Sequence, residues 1–285
     1  VTEFTELQGE MGKEYALLDG EKPEVAQAIF EQYMPRFAGD ILPQQEIGRA
    51  LSLADKLDNL AATFLRGLIP TGSQDPFALR RQTIGAVNIL TDGKIHWDIR
   101  RGIEAALALL PGDEETKKTV LSQIEDFFRQ RIKAIMLDES IAYDIIDAVL
   151  AGPVDDIYAL FLKARSMAES QLKDEAELRQ AVTRLANITK GKTGGKVDPS
   201  LFNEDVEKKL QDAFEAVSAK ALPLFASYEY GKALPALKEL TAPINDYLDN
   251  VMVMVDDEAV KNNRISQLLA TLALFNTWGD LSKLV

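Results

Sequence analysis

Apolar residues in this chain return every three or four positions and almost never every second one. Phe4, Leu7, Met11, Tyr15 and Leu18 follow that step, as do Ile47, Leu51, Ala54, Leu57, Ala61 and Phe64. Val120, Ile124, Phe127, Phe128, Ile132 and Ile135 repeat it further on. Such spacing lines side chains along one side of an α-helix, whereas a half-buried strand needs alternation. The alternating run that stands out is VMVMV, residues 251–255, and its flanks carry the helical step. The chain is therefore predicted to be all-α, with VMVMV as the buried end of one helix and the turn after it.

Helices are expected over Glu3–Asp19, Pro23–Phe37, Ile47–Leu65, Pro76–Leu90, Ile99–Leu110, Glu115–Met136, Ser140–Leu150 and Val154–Leu172. Further helices are expected over Glu175–Ile188, Glu204–Ala221, Tyr228–Leu240, Ile244–Val253 and Glu258–Phe275. Proline and glycine punctuate them. Pro23 suits a first turn, and Pro35, Gly39 and Pro43 break the pattern that follows it. Pro111-Gly112 and Gly152-Pro153 are the best boundaries, dividing the chain into a module at 1–112, connecting helices at 113–152 and a module at 153–285. Lys190–Lys196 (KGKTGGK) reads as the most flexible segment, an insertion between helices.

With 285 residues, 46% of them hydrophobic, the chain can bury two cores of ordinary size. It has no cysteine, which excludes disulfides, thiolate-bound zinc and thiol catalysis and fits a reducing cytoplasm. A single histidine, His96, excludes chemistry that needs two. The net charge of −13 counts against a generic nucleic-acid binder, whose affinity comes from many phosphate contacts. It leaves room for a few basic residues placed on one face. Val1–Gly9 lacks the basic-then-apolar order of a signal peptide, and no apolar run approaches the roughly 20 residues of a membrane span.

Five groups of polar residues stand out. Asp55 and Asp58, three apart, would share a helix face; they are either a metal or general-base site or a solvated acidic face around Lys56. KGKTGGK lacks the strand, spacing and terminal Ser or Thr of a phosphate-binding P-loop, so a surface loop is the better reading. Arg80 and Arg81 follow a helix start that Asp75 can cap. They either contact phosphate at the positive end of the helix or pair with an acid. Arg129, Arg131 and Lys133 form a local basic patch. Lys261, Asn262, Asn263 and Arg264 combine charge for phosphate with amides for base edges. Their alternative is an exposed helix start in which Arg264 pairs with Asp256 or Asp257, the two residues placed to cap it.

Five long motifs add a resemblance to these readings. EFTELQGEMGKEYALLDGE (3–21), EQYMPRFAGDILP (31–43), LADKLDNL (53–60), PTGSQDPFALRRQTIG (70–85) and DNVMVMVDDEAVKNNR (249–264) together resemble the bacterial glycyl-tRNA synthetase β subunit. The resemblance implies that the chain is the C-terminal part of a longer β subunit. Its first module would be an HD-type helical domain and its second a DALR-like anticodon-binding helical bundle. A working HD site needs several histidines and a His-Asp doublet, but here Trp97 separates His96 from Asp98 and Gln32 stands where a ligand histidine is expected. Asp55 would be a relic of the last metal aspartate, and no metal and no hydrolase activity are expected.

The resemblance also implies what the whole enzyme does. It charges tRNA(Gly) with glycine, using ATP and Mg at the separate α subunit, while the β subunit docks tRNA. This chain would then bind no cofactor and catalyse nothing by itself. Its partners would be tRNA(Gly), the α subunit and the N-terminal part of the β subunit, in the cytoplasm and without a membrane. Arg80 and Arg81 would hold tRNA phosphate, and Lys261, Asn263 and Arg264 would meet the anticodon. A competing reading makes the chain an interaction scaffold with little tRNA contact, and a third keeps a residual phosphohydrolase at Asp55 and Asp58.

Overall fold

Thirteen α-helices and five short 3-10 turns carry the chain, and two isolated bridges, Thr71–Gln74 and Asp98–Asp156, are the only β-type pairings among the described residues. The computed structural model describes residues 4–284. The all-α expectation holds, and the first residue of the expected Glu3–Asp19 helix lies outside the described residues. The helices fall into two compact units. One runs to Ile135 and includes Val154–Tyr158; the other comprises Met136–Pro153 and Ala159 onward. The expected modules at 1–112 and 153–285 are thus redrawn. The segment 113–152 is no separate connector, because its helix begins in the first unit and ends in the second.

The first unit is built on α3 (Glu46–Leu65), the helix with the clearest apolar step. Its buried side carries Leu53, Leu57, Leu60, Ala61 and Phe64. Each buried leucine is worth about 2 kcal/mol of removed apolar surface. Around it pack α2 (Pro23–Glu31), α4 (Leu79–Asp92) and α5 (Ile99–Ala108), with α1 (Glu10–Leu18) against α2. The ring of Phe64 meets Phe127, on α6 (Glu114–Asp138), edge-on at 5.2 Å. Between α3 and α5 lies an open apolar groove of about 810 Å³, lined by Leu53, Leu57, Trp97, Ala106 and Leu109.

Helices α7 (Tyr143–Val149) and α8 (Ile157–Glu169) lead into the second unit, which is organised on its last long helix. Seen in order it has α9 (Ala176–Thr189), α10 (Asp205–Ala226), α11 (Leu234–Lys238), α12 (Thr241–Asn250) and α13 (Glu258–Asn276). Asn263 to Leu268 are buried one after another along α13. Six consecutive buried residues span more than a turn and a half, so α13 is enclosed on all sides rather than amphipathic. It packs against α9 and α10. Beyond it Trp278 is fully buried, and its Nε1 donates to Ser166 Oγ at 2.9 Å.

Several expected elements are shorter, each for a local reason. Gly9, at φ +84, splits the first helix; a Cβ there would lie 3.0 Å from the Phe30 carbonyl oxygen. α2 stops at Glu31, ahead of Pro35, which lacks the N–H that a helix interior needs. α4 starts at Leu79 rather than Pro76, because Ala78 is left-handed at φ 53. The expected helix over Tyr228–Leu240 begins with Tyr228 at φ 61 and a 3-10 turn, and only Leu234–Lys238 is α-helical.

VMVMV is not a helix end. Val251 is extended, Val251 and Val253 face inward, and Met252 and Met254 are 73% and 55% exposed. Its alternation of buried and exposed side chains is real, but the backbone bends at Val253 and Met254, and no strand pairs with it among the described residues.

Candidate nucleic-acid interface

The four polar residues expected at the head of α13 do not share one environment. Asp257 caps the helix, its carboxylate accepting from Ala259 N at 2.9 Å and Val260 N at 3.2 Å. Lys261 is half-buried and bonds Glu258, one turn before it. Asn262 is exposed. Asn263 and Arg264 are buried, at 4% and 5% exposure, which corrects the expectation that they form an outward recognition patch.

Arg264 is consumed by structure. Its Nε and NH2 donate to the two carboxylate oxygens of Glu207 at 2.9 and 3.2 Å, and its NH1 donates to the Met252 carbonyl at 2.8 Å. The anticipated partners, Asp256 and Asp257, are not the ones it uses. Glu207 sits in the first turn of α10 and also accepts from the backbone N–H of Asn203 and Glu204, closing a capping box with Glu204. Burial alone would raise the Glu207 carboxyl. The Arg264 guanidinium and the two backbone donors outweigh it and hold the group below its ordinary value. The same pairing raises Arg264 above its ordinary value. Gln267, one turn on, donates to the Glu207 carbonyl at 2.7 Å. Together these bonds tie α13 to the start of α10 and to the Val251–Val255 segment.

Asn263 faces another neighbour. Its Oδ1 accepts from Asp198 N at 2.7 Å and its Nδ2 donates to the Asp198 carbonyl at 2.9 Å. Ser266 Oγ accepts from Gly195 N at 2.9 Å. The lysine-rich segment is therefore pinned along α13, which corrects its reading as the most flexible part of the chain.

Arg80 and Arg81 stand at the start of α4, half-buried and exposed respectively. The positive end of that helix is already occupied. Asp75 accepts from Leu79 N at 2.8 Å and Arg80 N at 2.9 Å, as its expected cap. A phosphate there would meet the two guanidinium groups rather than the helix N–H groups. Arg131 comes close to Arg80. Burial first, then the charge of Arg80, push the Arg131 guanidinium below its ordinary value, with Asp75 acting the other way. Arg131 lies over the Phe127 ring at 3.8 Å. Arg129, the other arginine of the expected patch, reaches Asp126 at 3.7 Å. Arg80 and Arg131 thus face each other, a pairing the sequence did not group, while Arg81 beside them in the chain is exposed.

Asp55, expected as a metal relic, is engaged by amides. Gln32 Nε2 donates to Asp55 Oδ1 at 3.1 Å, and Asn59 Nδ2 lies 3.4 Å from Asp55 Oδ2 while donating to Gln82 Oε1 at 3.2 Å. Asp58 does not join Asp55, against expectation: it is exposed and borders the groove between α3 and α5. Three residues along a helix leave their directions about 60° apart, enough to give them different neighbours. Among the described residues, no three His, Cys, Asp or Glu side chains come together. His96 Nδ1 lies 2.7 Å from Asp156, while Asp98 caps α5 through Arg101 N.

Lys56, expected at the centre of a solvated acidic face, is placed elsewhere by the structure. It is buried on α3, its Nζ donating to the Met34 carbonyl at 2.8 Å and to Ser52 Oγ at 2.7 Å. Burial lowers its pKa to about 8, against the opposing charge of Asp55. Its signal was present, since Lys56 falls on the buried side of α3 between Leu53 and Leu57, yet a lysine is rarely given a core position.

Comparison with known proteins matches this architecture. Residues 1–151, more than half of the chain, match the family described as glycyl-tRNA synthetase beta subunit, and residues 178–281 match the DALR anticodon binding domain. The glycine–tRNA ligase beta subunit of Clostridioides difficile is 44% identical over 286 aligned residues, covering 100% of this chain and 42% of that protein. Those of Desulforamulus reducens and Shouchella clausii are 41% and 39% identical, again over 100% of this chain and 42% of each relative. The chain thus spans about two-fifths of the length of the curated relatives it matches. On the strength of a family match across its first half and relatives aligned along all of it, the chain belongs to the glycyl-tRNA synthetase beta subunit family.

Proposed function

We propose that this chain is the tRNA-docking part of a glycine–tRNA ligase β subunit. The observation that carries the reading is the anticodon-binding match at 178–281, which falls wholly inside the second helical unit. That unit would receive the anticodon stem-loop of tRNA(Gly). Arg80 and Arg81, with Arg131, would hold backbone phosphate in the first unit, a degenerate HD-type domain whose Asp55 is engaged by amides. At the head of α13 the side chains available to RNA are Lys261 and Asn262. Asn263 and Arg264 support that surface from beneath, through the Asp198 backbone and Glu207.

Activation of glycine with ATP and Mg is assigned to the α subunit, and the chain itself binds no cofactor and performs no catalytic step. The α subunit and the N-terminal part of the β subunit are the protein partners of this reading, and the cytoplasm is its compartment. No helix among the described residues is long and apolar enough to cross a membrane. The test is a titration of the chain with tRNA(Gly) and with the same tRNA carrying a substituted anticodon, at several stated salt concentrations. Tighter binding of the glycine anticodon supports the reading. Equal affinity for both, or none, overturns it.

A further inference from the structure

The segment from Lys190 to Asp198 joins α9 to the 3-10 turn before α10 and carries Lys190, Lys192 and Lys196. Three contacts fix its backbone. Gly194 lies so close to α13 that a Cβ would sit 2.9 Å from Leu269 Cδ1. Gly195 N donates to Ser266 Oγ, and Asp198 exchanges two hydrogen bonds with the Asn263 side chain. The order of anchors, Leu269, Ser266, then Asn263, shows the segment running antiparallel to α13. It therefore ends beside the exposed Asn262 at the head of that helix.

The backbone is held while the charges are not. All three lysines are exposed, and none has a salt bridge among the described residues, although the charge of Lys196 reaches the Asp198 carboxylate. That matters in a chain of net charge −13, where an acid is the commonest neighbour a lysine could find. Neighbouring cations of the same unit are paired, as in Lys220–Glu239, Lys238–Glu175 and Arg184–Asp249. Lysines on a tethered backbone lose less freedom when they meet phosphates than lysines on a swinging loop would.

We infer that Lys190, Lys192 and Lys196 form a preset rail for the phosphates of single-stranded RNA, laid along α13 and leading to Asn262. The inference rests on the tRNA-docking reading and names the contact that reading lacks. Lysine meets phosphate as a point charge, so the rail contributes affinity and position without base preference. Asn263 and Ser266 act on RNA only through the rail, by holding its backbone.

Salt dependence tests this. Each phosphate contact on a single strand adds about 0.7 to the slope of log K against log salt. The Lys192→Gln/Lys196→Gln chain should bind tRNA(Gly) with a slope lower by about 1.4 than the parent. Carried over the decade from 1 M to 0.1 M, that is a loss of about 25-fold in affinity at 0.1 M. Lys208→Gln/Lys209→Gln removes the same charge from exposed positions on α10 and should leave the slope within about 0.3 of the parent. Circular dichroism of both variants should match the parent, since none of the four lysines makes an ion pair among the described residues. A parent that binds with an unchanged slope in the first variant, or equal losses in both variants, overturns the rail and leaves the docking reading standing. A parent that does not bind tRNA overturns the docking reading, and the rail with it.

Discussion

Replacing Arg264 by alanine should unfold the second unit far more readily than any change to an exposed arginine. In the parent, a buried guanidinium with 6% side-chain exposure meets a Glu207 carboxylate with none. Truncation leaves that carboxylate buried, with only the Asn203 and Glu204 N–H groups as donors. Breaking a buried pair from one side costs about 3–5 kcal/mol, since the remaining charge stays desolvated. The Met252 carbonyl loses its donor as well, which adds about 1 kcal/mol. Urea denaturation would measure this, followed by tryptophan fluorescence in a Trp97→Phe background so that Trp278 alone reports the second unit. With an m-value of about 2 kcal/mol/M, a loss of about 5 kcal/mol moves the midpoint by about 2.5 M.

The pH dependence should separate this mechanism from simple loss of packing. Glu207 is held below its ordinary value in the parent, so its stabilisation is complete above about pH 4.3 and is lost as pH falls through the folded value. Without Arg264, burial pushes the same carboxyl upward, so protonation begins to relieve the variant at mildly acid pH. The gap between parent and variant should therefore narrow between pH 6 and pH 4. A loss below about 0.5 kcal/mol, as for a surface residue, or a gap constant across that range, would refute the reasoning.

Other substitutions test the first unit. Asp75→Ala removes the acceptor for Leu79 N and Arg80 N and should lower thermal stability by about 1 kcal/mol, with Asp75→Asn retaining most of it. Gly48→Ala would set a Cβ 1.9 Å from Glu31 Oε2, a buried carboxylate, and should cost about 2–3 kcal/mol in urea unfolding. Lys56 has a folded pKa lowered to about 8, so between pH 8 and about 10.4 the unfolded chain holds a proton that the folded chain has released. Stability should rise over that window by on the order of 2–3 kcal/mol, and Lys56→Met should abolish the rise.

The fold class was legible because local spacing decides it. α3 starts one residue from its expected place, α9 is shifted by one and α13 starts where expected, since a long apolar stripe leaves few alternatives. Ends were misread where one residue's backbone overrides the pattern. Ala78 at φ 53 delays α4 by three residues, and alanine gives no warning of a left-handed turn. VMVMV was misread for the opposite reason: its alternation was set aside because its neighbours were helical. The loop at Lys190–Lys196 has the composition of a flexible linker, yet Asn263 and Ser266 on α13 hold its backbone, and composition carries no record of such distant donors and acceptors.

Arg264 shows why the recognition patch was harder to read than the helix that bears it. Arginine and asparagine suit base edges because they offer planar, directional hydrogen bonds, and that same property suits a buried carboxylate or an unpaired backbone segment. Residue type therefore cannot decide between RNA and protein. The presence of a complementary group that has no other partner can. Glu207 was such a group: it closes a capping box that Glu204-x-x-Glu207 announces in sequence, and its second carboxylate oxygen still needs a donor once buried. Asp198, which caps a 3-10 turn, likewise has a backbone N–H that no helix satisfies, and Asn263 accepts from it while also donating to a carbonyl that Leu201 N already reaches. Once those needs are met inside the unit, the cations that matter for an anionic partner are those left without an ion pair on a backbone held against α13, leading to the exposed Asn262. On the second unit that argument leads away from Arg264 and Asn263, to Lys190, Lys192 and Lys196.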